Sequence, residues 1–179
     1  MWIGSPLRGA FRLLCYLVIT IVAVPIYLLA TALRIQPVIR WMPVMYHRVV
    51  CTILGIRVRV RGTRSDVTPT LFVCNHVSYL DIEVLGGLVP GSFVAKAEVA
   101  TWPFFSTLAK AQRTIFIERS SGKTSASRDE MMRRLNTGDN LLLFPEGTSS
   151  DGTRVLPFRS ALFGVAQLRR HDRPIVVQP

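Results

Sequence analysis

Leu13 to Leu33 runs for 21 residues without a charged side chain. As a helix it would reach roughly 31 Å, about one hydrocarbon thickness of a bilayer. Few soluble cores bury a run so long and so uniformly apolar. Arg8 and Arg12 precede it, and Arg34, Arg40 and Arg48 follow. With cations on both sides, charge asymmetry does not fix an orientation. Pro25 falls inside the run and is expected to kink it. Pro37 to Leu54 is also apolar, but Arg40, Pro43, His47 and Arg48 break it, so it reads as an interfacial helix. One span plus this surface helix fits, and so does a helical hairpin dipping into one leaflet. A cleavable secretory leader is the rival reading, because Ala30-Thr31-Ala32 mimics a cleavage site. The run exceeds the roughly 7–15 apolar residues of such leaders.

The net charge of +11 suits either a nucleic acid or an anionic membrane face. No stripe of aromatics interleaved with basic residues is present, which argues against nucleic acid. Cys15, Cys51 and Cys74 are odd in number and widely spaced. His47, His76 and His171 have no metal-ligand spacing. Neither a disulfide framework nor a metal site is expected.

Beyond residue 54 the pattern changes. Arg57 to Arg61 alternates strictly and predicts a half-exposed strand. Short apolar runs at Thr70–Cys74, Phe93–Ala95, Thr114–Ile117, Leu141–Phe144 and Ile175–Val177 predict further strands. Helices are expected over Ser78–Leu88, around Trp102-Pro103 within Glu98–Ala109, over Ser127–Leu135 and over Arg159–Arg170. Ser127 and Glu130 would form a capping box, with Gly138 past the end. Ser120–Lys123 and Pro145–Thr153 read as loops. The alternation predicts an α/β fold, a mixed sheet flanked by helices, behind an N-terminal membrane-embedded helical segment. We place the boundary near residue 55. Residues 1–54 form the anchor and interfacial helix, and 55–179 form a catalytic domain expected to be cut short at its C terminus.

Two loops carry candidate chemistry. In Cys74-Asn75-His76-Val77-Ser78-Tyr79-Leu80-Asp81, a strand enters a loop and then a helix. The Asp81 carboxylate can meet one imidazole nitrogen of His76, which fixes the tautomer and leaves the other nitrogen as a base. Asp81 as a plain helix cap accounts for the same spacing. Phe144-Pro145-Glu146-Gly147-Thr148 follows an apolar strand and offers backbone donors to a phosphate or oxyanion, or else is an ordinary turn. A third segment, Ile115 to Arg119, ends in Glu-Arg. Its guanidinium fork would suit a phosphate, or would form a surface ion pair.

Together and in this order, these segments resemble the glycerolipid acyltransferase family of 1-acylglycerol-3-phosphate and lysophospholipid acyltransferases. Asn75, His76 and Asp81 meet its NHxxxxD block. Phe116 to Arg119 meet its second block, and Phe144 to Thr148 match the third residue for residue. Pro174 to Pro179 loosely meet the fourth. Arg113 stands where the second block commonly opens with Gly, an extra cation that would bear on head-group choice.

The resemblance implies transfer of a fatty acyl group from acyl-CoA or acyl-ACP to the sn-2 hydroxyl of 1-acylglycerol-3-phosphate, making phosphatidic acid. It makes His76 and Asp81 catalytic, and Asn75, Arg119, Glu146, Gly147 and Thr148 substrate-binding. It implies no cofactor beyond the thioester co-substrate, and no metal. Membrane lipids and the acyl carrier are the expected partners. The expected place is a membrane (the inner membrane, if the source is bacterial), with the catalytic domain on the cytoplasmic face. A lyso-ornithine lipid acceptor and a non-enzymatic membrane-bound binding module are the alternatives. Two further readings are weaker. Cys74 with His76 as a hydrolytic pair would need a reactive thiol in an apolar strand. Gly122-Lys123-Thr124 lacks the glycine five residues earlier that a phosphate-binding loop requires, since Ile117 stands there.

Overall fold

The structure is a computed structural model, and it describes residues 5–118, 124–163, 165, 169–170 and 173–179. It comprises two compact units, Met1–Val60 with Glu83–Pro90, and Arg61–Ile82 with Gly91–Pro179.

The first unit is built on two long helices. Helix α1 spans Pro6–Ala32 and contains Pro25. It is long and apolar enough, by length and composition, to cross a membrane. Helix α2 spans Gln36–Leu54. Its buried residues Val44, His47, Val50 and Cys51 recur at helical spacing on one stripe. The α1 residues Thr20, Tyr27 and Ala30 are buried too, and the Thr20 and Tyr46 hydroxyls hydrogen-bond at 2.8 Å between the two helices. Gly55 closes α2 with φ of 77°, a left-handed cap that favours glycine.

In the second unit, β1 (Thr70–Val73) leads to α3 (Leu80–Gly86), whose later residues belong to the first unit. Then come β2 (Ser92–Lys96), a short 3-10 turn at Ala97–Thr101, α4 (Phe105–Ala111) and β3 (Ile115–Ile117). They are followed by α5 (Thr124–Asn136), β4 (Leu141–Leu143), a ribbon of β5 (Arg169–Arg170) and β6 (Arg173–Pro174), and β7 (Val176–Gln178). Five strands form one sheet in the order β3-β2-β4-β1-β7. Every pairing in it is parallel. Antiparallel pairing, expected of a mixed sheet, occurs among the described residues only in the β5–β6 ribbon.

The central strands Thr70–Val73 and Leu141–Leu143 are buried at every position. Strands of a parallel sheet covered on both faces read as continuous apolar runs, which is what these are. One face presents Leu71, Val73, Val94, Ile115, Ile117, Leu141 and Leu143. Met131 and Leu135 of α5 pack on them, with Val165 and Ile175.

Three expectations are overturned. Arg57 to Arg61 forms no strand, and Val58 and Val60 are exposed along with the arginines. Alternation specifies a strand only where one face has something to cover it. Helix α5 starts at Thr124, so Ser127 lies inside it. Glu130 holds Arg133 through two bonds of 2.6 and 2.7 Å instead of capping. The described residues of Arg159–Arg170 hold a 3-10 turn at Ser160–Phe163 and strand β5 at Arg169–Arg170 in place of the expected helix, and Val165 enters the sheet core. The predicted loop Ser120–Lys123 lies outside the described residues.

Candidate active site

In a parallel sheet all strands end on one edge, which is where α/β folds place ligands. Val73 of β1 pairs with Leu143 of β4. Three residues beyond each lie His76 and Glu146, so equal offsets from one register pair bring the two loops side by side. Three hydrogen bonds follow from that placement. Cys74 N–H donates to the Leu143 carbonyl at 3.0 Å and Ser150 N–H to the His76 carbonyl at 2.8 Å. His76 N–H donates to Glu146 Oε1 at 3.2 Å.

Asp81 gathers the first loop around a single oxygen. Its Oδ2 accepts from Val77 N–H at 2.7 Å, from Ser78 N–H at 3.1 Å and from His76 Nδ1 at 2.9 Å. The Ser78 hydroxyl accepts in turn from Leu80 N–H at 3.1 Å. Asp81 is therefore the helix cap and the imidazole brace at once, and the two readings of the spacing are both realised. A carboxylate only accepts, so Nδ1 carries the proton and Nε2 is left with its lone pair. The ring is fixed from the side as well, stacked on Phe144 at 4.2 Å with 20° between the planes. Phe144 itself stacks on Phe93 of β2. The Phe144 contact is one the sequence did not reveal. The signal available was its position one residue past the β4 pair of Val73.

The second loop is shaped by its own sequence. Gly147 N–H closes a turn on the Phe144 carbonyl at 3.0 Å, with Pro145 second in that turn. Gly147 has φ of 70°, which a side chain would strain. The Gly147 amide, expected to face an oxyanion, thus already closes the turn. Thr148 is exposed, and no hydrogen bond among the described residues engages its amide. Glu146 is 2% exposed, and its Oε2 has no hydrogen-bond partner among the described residues. A buried carboxylate oxygen left so is costly, and native structures keep few of them. Asn75 is exposed beside His76.

Burial, and then the neighbouring Asp81 charge, push the Cys74 thiol up to about 11. A thiol so raised disfavours Cys74 as a nucleophile, and no hydrogen bond among the described residues joins it to the His76 imidazole. Among the described residues no group of His, Cys, Asp and Glu could hold a metal ion.

Arg119 lies outside the described residues. Arg113 is on the other edge of the sheet, before β3. It pairs with Asp139 at 2.9 Å, and Asp139 also takes Arg134 at 2.6 Å. Its φ of 59° explains why a glycine is at home there. Arg113 is thus tied to Asp139 at the edge of the sheet where the strands begin, opposite the edge that carries His76.

A family model described as Acyltransferase matches residues 57–178. The chain belongs to the acyltransferase family. It is 48% identical over 144 residues to a lyso-ornithine lipid O-acyltransferase of Brucella abortus, covering 78% of this chain and 54% of that protein. It is 40% identical over 166 residues to a lyso-ornithine lipid O-acyltransferase of Rhizobium meliloti, covering 92% and 55%. The chain thus spans about half the length of the curated relatives it matches. Its fold is that of the crystal structure of the 1-acyl-sn-glycerophosphate acyltransferase PlsC from Thermotoga maritima. That match has a TM-score of 0.64 and 23% identity, covering 89% of this chain and 72% of that one.

Proposed function

We propose that the chain carries the active site of an O-acyltransferase that acylates the hydroxyl of a lyso-lipid, and that the acceptor is a lyso-ornithine lipid. The observation that carries the chemistry is the Asp81–His76 brace standing beside Glu146 where two adjacent parallel strands end. His76 Nε2 takes the proton from the acceptor hydroxyl as its oxygen attacks the thioester carbonyl. The C–O ester bond forms, the C–S bond breaks, and the thiolate leaves with the proton returned through the imidazole. Such general-base assistance supplies roughly 10²–10⁴-fold. No acyl-enzyme is needed, in keeping with a Cys74 thiol held protonated.

Glu146 serves the acceptor side from beneath, its Oε1 taking the His76 N–H and so fixing the loop that meets the lyso-lipid's polar part. Thr148 and Asn75, exposed on the two neighbouring loops, are the further acceptor contacts, with the Thr148 amide as an oxyanion donor. Arg119, two residues past β3 in the sequence, would complete acceptor binding.

Two observations favour the ornithine acceptor over the glycerophosphate expected from the sequence. The relatives at 40–48% identity over 144–166 residues are lyso-ornithine lipid O-acyltransferases, whereas a 1-acyl-sn-glycerol-3-phosphate acyltransferase of Neisseria meningitidis is 37% identical over 94 residues. Arg113, one of two cations that spoke for a phosphate, is engaged by Asp139 at the far edge. Helix α1 holds the protein in a membrane, with α2 at its surface and the catalytic residues facing the cytoplasm, where thioester donors are made.

The test is a transfer assay with membranes carrying the full-length polypeptide. Lyso-ornithine lipid and 1-acylglycerol-3-phosphate are each offered with acyl-CoA and with acyl-ACP. Faster product formation from lyso-ornithine lipid is expected with at least one donor. Preference for the glycerophosphate would reverse the acceptor assignment, and no transfer to either would remove the activity.

A further inference from the structure

The first 60 residues contain seven arginines and no acid; the first carboxylate in the chain is Asp66. The antiparallel fold of α1 on α2 gathers part of that charge at one end. Thr20 bonds Tyr46, so eight residues back along α1, Arg12 lies level with Leu54, eight residues on along α2. The geometry bears this out: the Arg12 guanidinium lies against Gly55, 2.8 Å from where a Cβ would stand. Arg8 is one turn further out, and Arg57 and Arg59 follow directly after the Gly55 cap, both exposed. No ion pair or hydrogen bond among the described residues engages Arg8 or Arg12. Beside them runs an open groove of about 480 Å³, lined by Leu7, Phe11, Cys15 and Ile53 together with the two arginines and Thr52. Leu7 and Phe11 are 81% and 67% exposed.

A cation fork set at the head of an apolar groove, where a membrane-length apolar run begins, has the polarity of a phospholipid: charge at the interface, hydrocarbon toward the bilayer. We propose that this end of the α1–α2 hairpin is a docking site for an anionic phospholipid. Its phosphate would lie on Arg8 and Arg12, and one acyl chain would lie along Phe11, Cys15 and Ile53. Guanidinium forks match phosphate oxygens bidentately, and each arginine near an anionic head group favours it several-fold. The bland account makes Arg12 a helix-end cation, favourable near the last carbonyls of α2. It leaves Arg8 and the groove without a role. The proposal rests on the reading that α1 lies in a membrane. It is separate from the catalytic site: His76→Ala should stop transfer and leave lipid retention untouched.

The experiment is native mass spectrometry of the full-length protein in neutral detergent, titrated with phosphatidylglycerol or phosphatidylcholine. The wild type should retain phosphatidylglycerol in preference. The Arg8→Gln/Arg12→Gln pair should weaken that retention roughly thirty-fold, the product of two head-group contacts. Arg34→Gln/Arg40→Gln, at the opposite end of the hairpin, should keep it. Equal retention of the two lipids by the wild type overturns the proposal, and so does equal sensitivity of both ends. If the Arg8/Arg12 variant fails to fold, photo-crosslinking of wild type decides. A photoactivatable phosphatidylglycerol should label the first turns of α1 and the last turn of α2, and labelling spread elsewhere overturns the site. A protein that stays dispersed without detergent removes the membrane reading itself, whatever the lipid result.

Discussion

Among the described residues stand two histidine–carboxylate pairs, one in each unit. In the second unit His76 Nδ1 meets Asp81 Oδ2 at 2.9 Å, with side chains 20% and 27% exposed. In the first, His47 Nδ1 meets Glu83 Oε2 at 2.6 Å, with side chains 3% and 17% exposed. The pair itself does not make a site. His76 sits on a loop past a strand end, its ring clamped by Phe144 and its backbone tied to Glu146. His47 sits mid-helix in α2, edge-on to Tyr46, its ring pressed on Gly86 so closely that an added Cβ would stand 2.4 Å away. The neighbouring Arg48 donates to the Gly87 carbonyl at 2.7 Å. One imidazole is braced and reachable; the other joins two helices.

Mutations at the two pairs should therefore separate rate from stability. Asp81→Asn should have the largest effect, lowering turnover by roughly 10²–10⁴-fold because the tautomer is no longer enforced. Steady-state transfer beside a thermal melt would check it. His47→Ala should cost about 2–3 kcal/mol of stability by leaving the Glu83 carboxylate without its partner. Turnover per folded molecule should stay within a few-fold of wild type. If turnover falls as far as with Asp81→Asn, the contrast between the pairs is lost. Gly86→Ala forces a methyl onto the His47 ring and should destabilise by about 1–3 kcal/mol, again without a change in rate.

The smallest effect is at Cys74. Because the folded thiol is raised from 9.0 to about 11, the native state holds its proton more tightly than the unfolded chain. Stability is then fully present below pH 9 and declines as pH rises toward about 11. Cys74→Ala should flatten that alkaline decline in a series of melts while leaving transfer in place.

Much of this was legible in the sequence wherever local chemistry and tertiary demand agree. The apolar runs of β1 and β4 are strands because both faces are buried. Pro145 and Gly147 dictate their turn. Asp81, in the first turn of α3, can reach His76 because His76 lies on the loop before that helix. What could not be read was set by neighbours distant in sequence. The Arg57–Arg61 alternation found no partner to cover it. Val165 was drawn into the sheet core, where a helix was expected. The edge on which Arg113 sits depends on strand direction, which no local pattern encodes. His47 and Glu83 are 36 residues apart, and neither neighbourhood suggests the other.

The central claim is that the braced imidazole at position 76 is the base for acyl transfer. The most direct measurement is transfer by the His76→Ala protein in membranes, normalised to folded protein by its melt. Turnover reduced by at least about a hundredfold, with the melt unchanged, is the predicted result. Near-normal turnover by that variant would contradict the account.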